Sequence, residues 1–188
     1  MKKSLYSIFA LIAMLVAFTS CEKDEVQNTA TMEAAGEWHV TFAALDENGE
    51  VYDDNWFGDG VYNIATSNTA ANVPNKMYII DNVNSFIPYQ VEVDLDLNNL
   101  TFKTTDAKNL YGPGNYEEVF EEDTPFGDKI TITDGKIIKN GYTKPNGIKV
   151  DYIEFYISFS DDVLPEMMGI NTKYKVSGFR YTGFVEDE

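Results

Sequence analysis

One histidine, His39, and one cysteine, Cys21, stand in this chain of 188 residues, and their scarcity limits the chemistry it can do. Attack on a carbonyl by serine or cysteine commonly needs a base within hydrogen-bond reach, usually a histidine. Beyond residue 20 the serines are Ser67, Ser85, Ser158, Ser160 and Ser177, and none lies in a Gly-x-Ser-x-Gly elbow. A triad built around His39 from distant segments stays open, since such residues meet in space. A tetrahedral zinc site draws on several Cys and His side chains, more than the chain has. Asp53-Asp54-Asn55 with Asp59-Gly60 offers hard oxygen ligands but breaks the twelve-residue spacing of a calcium loop, and reads as a solvated turn. Glu117-Glu118 and Glu121-Glu122-Asp123 are paired carboxylates, yet glycoside hydrolysis needs two held rigidly ~5–9.5 Å apart. The expectation is no catalytic residue, no metal and no cofactor. Whether the chain is an enzyme stays open, with binding favoured over turnover.

Cys21 has a different prospect. Lys2 and Lys3 precede Leu5–Phe18, fourteen residues without a charge. As a helix they span ~21 Å, short of a ~30 Å hydrocarbon core, so the pattern reads as a secretory signal. Phe18-Thr19-Ser20-Cys21 resembles a bacterial lipobox, in which the thiol is acylated and becomes the new N-terminus. The expected organisation is a signal peptide over 1–20, a lipidated flexible tether over 21–35 and one domain over 36–188. The membrane is then a partner through the lipid on Cys21, at the outer membrane of the cell envelope. Lys23-Asp24-Glu25 resembles a surface-export tag, and the cell-surface and periplasmic faces both stay open. Without the signal, twelve basic residues face thirty-one acidic ones, a formal charge of −19 that disfavours nucleic acid and anionic headgroups.

The elements that would position any site are strands. Trp38, Val40, Phe42 and Ala44 alternate with polar or small neighbours, a period-two pattern. Further strands are expected at 61–66 and 77–81. Val91, Val93, Leu95 and Leu97 share a face, and Asn98-Asn99 can turn, which sets Leu95 opposite Phe102 and Asp94 opposite Lys103. Asp134-Gly135 is expected to turn a second hairpin with Ile132 opposite Ile137, and Asn146-Gly147 a third turn. Ile153, Phe155, Ile157 and Phe159 line one face of a long strand, and a last strand starts at Tyr174. Residues 111–126 read as a long loop, and the connection holding Pro165 and Met167-Met168 as one that includes a short helical turn.

Such a chain is all-β and antiparallel, either a sandwich or an up-and-down barrel of about eight strands. Gly36-x-Trp38 on the first strand and Arg180, the only arginine, on the last favour the barrel. In lipocalin-like (calycin) barrels an arginine from near the chain's end covers such a tryptophan, a cation–π contact. An eight-stranded barrel is either filled or holds one small ligand. The candidate lining is Trp38, Val40, Phe42, Val91, Val93, Leu95, Ile153, Phe155, Ile157 and Phe159, with Trp56-Phe57 as rim or lid. Arg180 has a second candidate role, neutralising a fatty-acid carboxylate.

Ser177-Gly178-Phe179-Arg180-Tyr181-Thr182-Gly183-Phe184, Tyr62–Thr66, Asn68–Pro74 and Asp134–Gly141 together resemble the bacterial lipoproteins grouped as "lipid-binding putative hydrolase". The resemblance spans about 36–185 and implies a calycin-like domain behind a lipobox, with a lipid ligand. Phe179 and Tyr181 stand where a histidine and an arginine are expected. No catalytic residue follows from it. The leading expectation is a barrel binding a small apolar or amphipathic molecule without turnover; the alternative is a packed barrel docking on an outer-membrane protein, and a hydrolase is third.

Overall fold

A computed structural model describes residues 28–58, 60–81, 88–115 and 124–183. Cys21, the signal segment, Asp59, the acidic residues 117–123 and Phe184 lie outside the described residues.

The described residues form eleven strands in order: β1 Gly36–Leu45, β2 Val51–Asp53, β3 Tyr62–Asn68, β4 Lys76–Asp81, β5 Tyr89–Asp96, β6 Thr101–Lys108, β7 Gly114–Asn115, β8 Pro125–Phe126, β9 Lys129–Thr143, β10 Lys149–Phe159 and β11 Tyr174–Arg180. Among the described residues one short helix, α1 Leu164–Met168, precedes β11. Each long strand pairs antiparallel with its neighbour in sequence, and β11 returns to β1. The result is the expected closed barrel of eight strands, β1, β3, β4, β5, β6, β9, β10 and β11. Beyond it, β2 pairs antiparallel with the end of β1, and β7 pairs with β8 apart. The seam runs in register from Trp38↔Arg180 to Ala44↔Tyr174. Closure leaves no long edge for another chain to pair with.

Alternation explains the core. On β5 the inward residues Tyr89, Val91, Val93 and Leu95 are buried, while Asp94 and Asp96 face water. The β5–β6 register is the one the pattern demands, Leu95↔Phe102 and Asp94↔Lys103. Asp94, however, makes its ion pair with Lys76 at 2.7 Å.

Asp134-Gly135 does not turn the chain. β9 runs straight through it, with Ile132 opposite Ile157 and Ile137 opposite Ile153 on β10. Between them Thr133 and Lys136 oppose Tyr156 and Glu154, so two residues face one, a β-bulge. Asp134 takes a positive φ of 55° within it, as the first residue does in one class of bulge. The slip returns Ile137 to the inward face that Ile130 and Ile132 already occupy.

The base, the end where β1 begins, is closed by side chains. Trp38 is fully buried; its Nε1 donates to Thr66 Oγ1 at 2.9 Å, and that hydroxyl donates to Ala34 O at 2.6 Å. The Arg180 guanidinium lies 4.7 Å from the indole centroid, donates to Ala35 O at 2.7 Å and sits 3.2 Å from Asp151 Oδ2. Gly36 makes this possible, because a Cβ there would meet Arg180 Nη1 at 2.8 Å. The packed unit begins upstream of Gly36: Thr31 and Ala34 are buried in a turn, and Ala30 N donates to Asn72 Oδ1 at 2.8 Å.

Candidate functional site

The opposite end, where β1 finishes, is the mouth of the barrel, and its lid is the connection between β2 and β3. Trp56 N donates to Phe42 O at 2.8 Å, and Tyr62 Oη donates to Phe57 O at 2.7 Å, so the lid is pinned at two points. The Phe57 ring points inward, 5.7 Å from Phe42 and 5.4 Å from Tyr174. Tyr174 in turn meets Phe159, and Phe159 meets Tyr89. A chain of edge-to-face and tilted rings thus fills the mouth. Such pairs add ~0.5–1.5 kcal/mol each beyond area burial. Trp56 is half-buried on the same lid and packs against the core as well, its ring 6.2 Å from Tyr52.

Below the lid the candidate lining is brought together as one core. Trp38, Val40, Phe42, Val91, Val93, Leu95, Ile153, Phe155, Ile157 and Phe159 are 0–7% exposed. All ten belong to one continuous hydrophobic cluster, so these side chains pack against one another. Entry of a ligand therefore requires something to move, and Phe57 is the half-buried ring at the top. Arg180 sits at the far base, engaged with Trp38, Ala35 and Asp151, and does not reach the mouth.

Two polar groups escaped the sequence reading. Asp81 and Tyr89 pair across β4 and β5 and are both fully buried. The Tyr89 hydroxyl has no hydrogen-bond partner among the described residues. Burial, and then the Asp81 charge, push the Tyr89 phenol well above its usual range, and the same two causes raise Tyr62. Asp81 was legible: Met77, Ile79 and Asp81 share the inward phase of β4, so an acid occupies an apolar position. Asn109 also organises the mouth. Its Oδ1 accepts from Gln90 N and Tyr111 N, while its Nδ2 donates to Pro88 O and Gly127 O.

His39 lies on the outer wall, not among these groups. Its ring stacks on Tyr181 at 4.4 Å and meets Phe179 edge-on at 5.7 Å. Phe179 stacks in turn on Tyr142 at 4.7 Å, with Lys144 Nζ 5.5 Å from its centroid. Burial and the Lys144 charge lower the His39 pKa, against an opposing pull from Glu37. The folded chain therefore binds this proton less readily than the unfolded one. The resulting stability is complete above about pH 6.5 and is lost as pH falls through the folded pKa. Thermal unfolding of wild type should show a midpoint falling between about pH 7 and pH 5, and His39→Asn should flatten that slope. An unchanged slope would show that carboxylates alone set it.

Among the described residues, no group of three or more His, Cys, Asp or Glu side chains is placed to hold a metal ion, and no helix is long and apolar enough to cross a membrane. The model of the family described as "lipid-binding putative hydrolase" matches residues 23–185, most of the chain. No curated protein matches it.

Proposed function

Because this chain belongs to the lipid-binding putative hydrolase family, we propose that its barrel binds a small apolar or amphipathic, lipid-like molecule without chemical turnover. In the same reading Cys21 is acylated and holds the domain at the outer membrane. The observation that supports a ligand is the mouth. One half-buried ring, Phe57, on a loop with Gly58 and Gly60 behind it, covers an interior that contains the free hydroxyl of Tyr89. Displacing Phe57 makes room for an apolar group and brings a hydrogen-bonding partner within the barrel. The tight packing beneath the lid favours a second reading, in which the barrel is a rigid module that docks on an outer-membrane protein.

Native mass spectrometry of the untagged chain extracted from membranes separates the two. A carrier releases a discrete lipid-sized adduct, whereas a docking module flies at the mass of the acylated polypeptide. Blank ester and glycoside panels for both wild type and His39→Ala would retire the hydrolase reading. Phe57→Ala provides a kinetic check. Loss of its contacts with Phe42 and Tyr174, at ~0.5–1.5 kcal/mol each, corresponds to on the order of tenfold faster uptake and release of an uncharged fluorescent probe such as Nile red. Equal rates in wild type and variant would mean that ligands do not pass this ring.

A further inference from the structure

The two ends of the barrel differ in charge and in apolar exposure, and the difference points to a partner beyond the small ligand proposed above. At the base, the entering segment 28–35 and the turns 69–75, 97–100 and 144–148 hold one acid, Glu33, and one lysine, Lys144. At the mouth, the described residues of the connections 46–61, 109–128 and 160–173 hold nine acids and one lysine, Lys173. Lys108 and Lys129, paired across β6 and β9, and Lys175 near the start of β11 are further cations on the wall toward this end.

The same end exposes large apolar side chains. Tyr52 and Val61 flank the lid, Leu110 and Tyr111 follow β6, and Met167 and Met168 sit on α1; these six are 50–64% exposed. Single exposed apolar residues are ordinary, but a ring of them around one end is a feature of contact surfaces. The backbone ties the segments together: Leu110 N donates to Gln90 O, Gly127 N to Ser160 O, and Asn171 N to Leu45 O. The methionines are unbranched and polarisable, suited to shaping themselves around varied partners.

From this we infer that the mouth end is a docking surface for a basic, amphipathic polypeptide. The acids supply long-range attraction for lysine and arginine, and the apolar ring supplies contact area once the partner arrives. An anionic bilayer is the poorer match, because nine acids would meet its headgroups while the nearly neutral base lies at the other end.

The test uses the acylated full chain in neutral nanodiscs and two fluorescent peptides of equal length and charge, one alternating lysine with leucine and one lysine with serine. The leucine peptide should bind at least about tenfold tighter, the difference a few desolvated apolar anchors confer, and its affinity should fall as salt rises. The triple variant Leu110→Ser, Met167→Ser, Met168→Ser should lose that preference, while Ile138→Ser with Ile148→Ser, toward the base, should keep it. Equal binding of the two peptides, or a preference that survives the triple variant, would overturn the inference. So would flotation of the chain with anionic vesicles that the triple variant abolishes, since the mouth would then face lipid. Because the lid-gated ligand is read by mass and this surface by peptide affinity, either can fail alone.

Discussion

Trp38→Ala is expected to cost about 3–5 kcal/mol, the range for deleting a large aromatic from a core that cannot collapse around the gap. The ring is fully buried, so its removal leaves a hole bounded by strands locked in register on both sides, β11 and β3. It also removes the donor to Thr66 Oγ1 and the surface against which Arg180 lies. Against a total stability of ~5–15 kcal/mol that loss is a large share. For a domain of this size it lowers the melting temperature by about 6–20 °C. Urea unfolding followed by far-UV circular dichroism reads it directly. Trp56→Ala is the matched control, since that ring is only half-buried, on the lid at the other end. If the Trp38 variant lost no more than the Trp56 one, the base would be held by its backbone ladder and not by the indole.

The barrel was legible because its signal is redundant. Period-two alternation recurs on most long strands, and the β5–β6 hairpin is specified twice, once by the apolar face and once by Asp94 opposite Lys103. Trp38 and Arg180 were readable as a pair because each type is rare and each sits on a terminal strand. Asp134-Gly135 misled for a physical reason. Asp-Gly adopts positive φ equally well in a tight hairpin and in a bulge, and the odd spacing of Ile132 and Ile137 fits a hairpin unless an extra residue is absorbed. Only the long-range pairing with β10 decides between them.

The site was less legible because it depends on which inward groups lie near the same end. Phe57 was recognisable as a large aromatic beside Trp56 with little around it to pack against. That it points inward follows from contacts with Phe42 and Tyr174, more than a hundred residues apart from each other. Asp81 violates its strand's pattern and so was visible, but its meaning depends on Tyr89 across the β4–β5 pair. The overall charge also concealed an arrangement. A figure of −17 for the whole chain describes neither the nearly neutral base nor the acidic mouth, and interactions beyond about 10 Å are screened at ordinary salt.

Gly178→Ala should be at least as damaging as the loss of Trp38, although it adds only one methyl group. Gly178 lies on β11 opposite Val40, and a Cβ there would collide with the carbonyl oxygen of His39 and the Cα of Val40. Those atoms are backbone, so no side-chain rotation relieves the contact. Either β1 and β11 separate or the register slips, and a one-residue slip would turn Trp38, Val40 and Phe42 out of the core. A cost of about 3 kcal/mol or more is expected, at the upper end for overpacking. Ser177→Ala, one residue away with its side chain on the other face, should stay within ~0.5 kcal/mol of wild type. Hydrogen exchange distinguishes local from global damage: a parted seam should speed exchange in β1 and β11 first, while β5 and β6 on the far wall stay protected. A parted seam also exposes two unpaired strand edges, so the variant should aggregate at concentrations where wild type does not. If instead the alanine variant matched Ser177→Ala in stability and exchange, the seam would have slack, and closure of the barrel would rest on Trp38 and Arg180 alone.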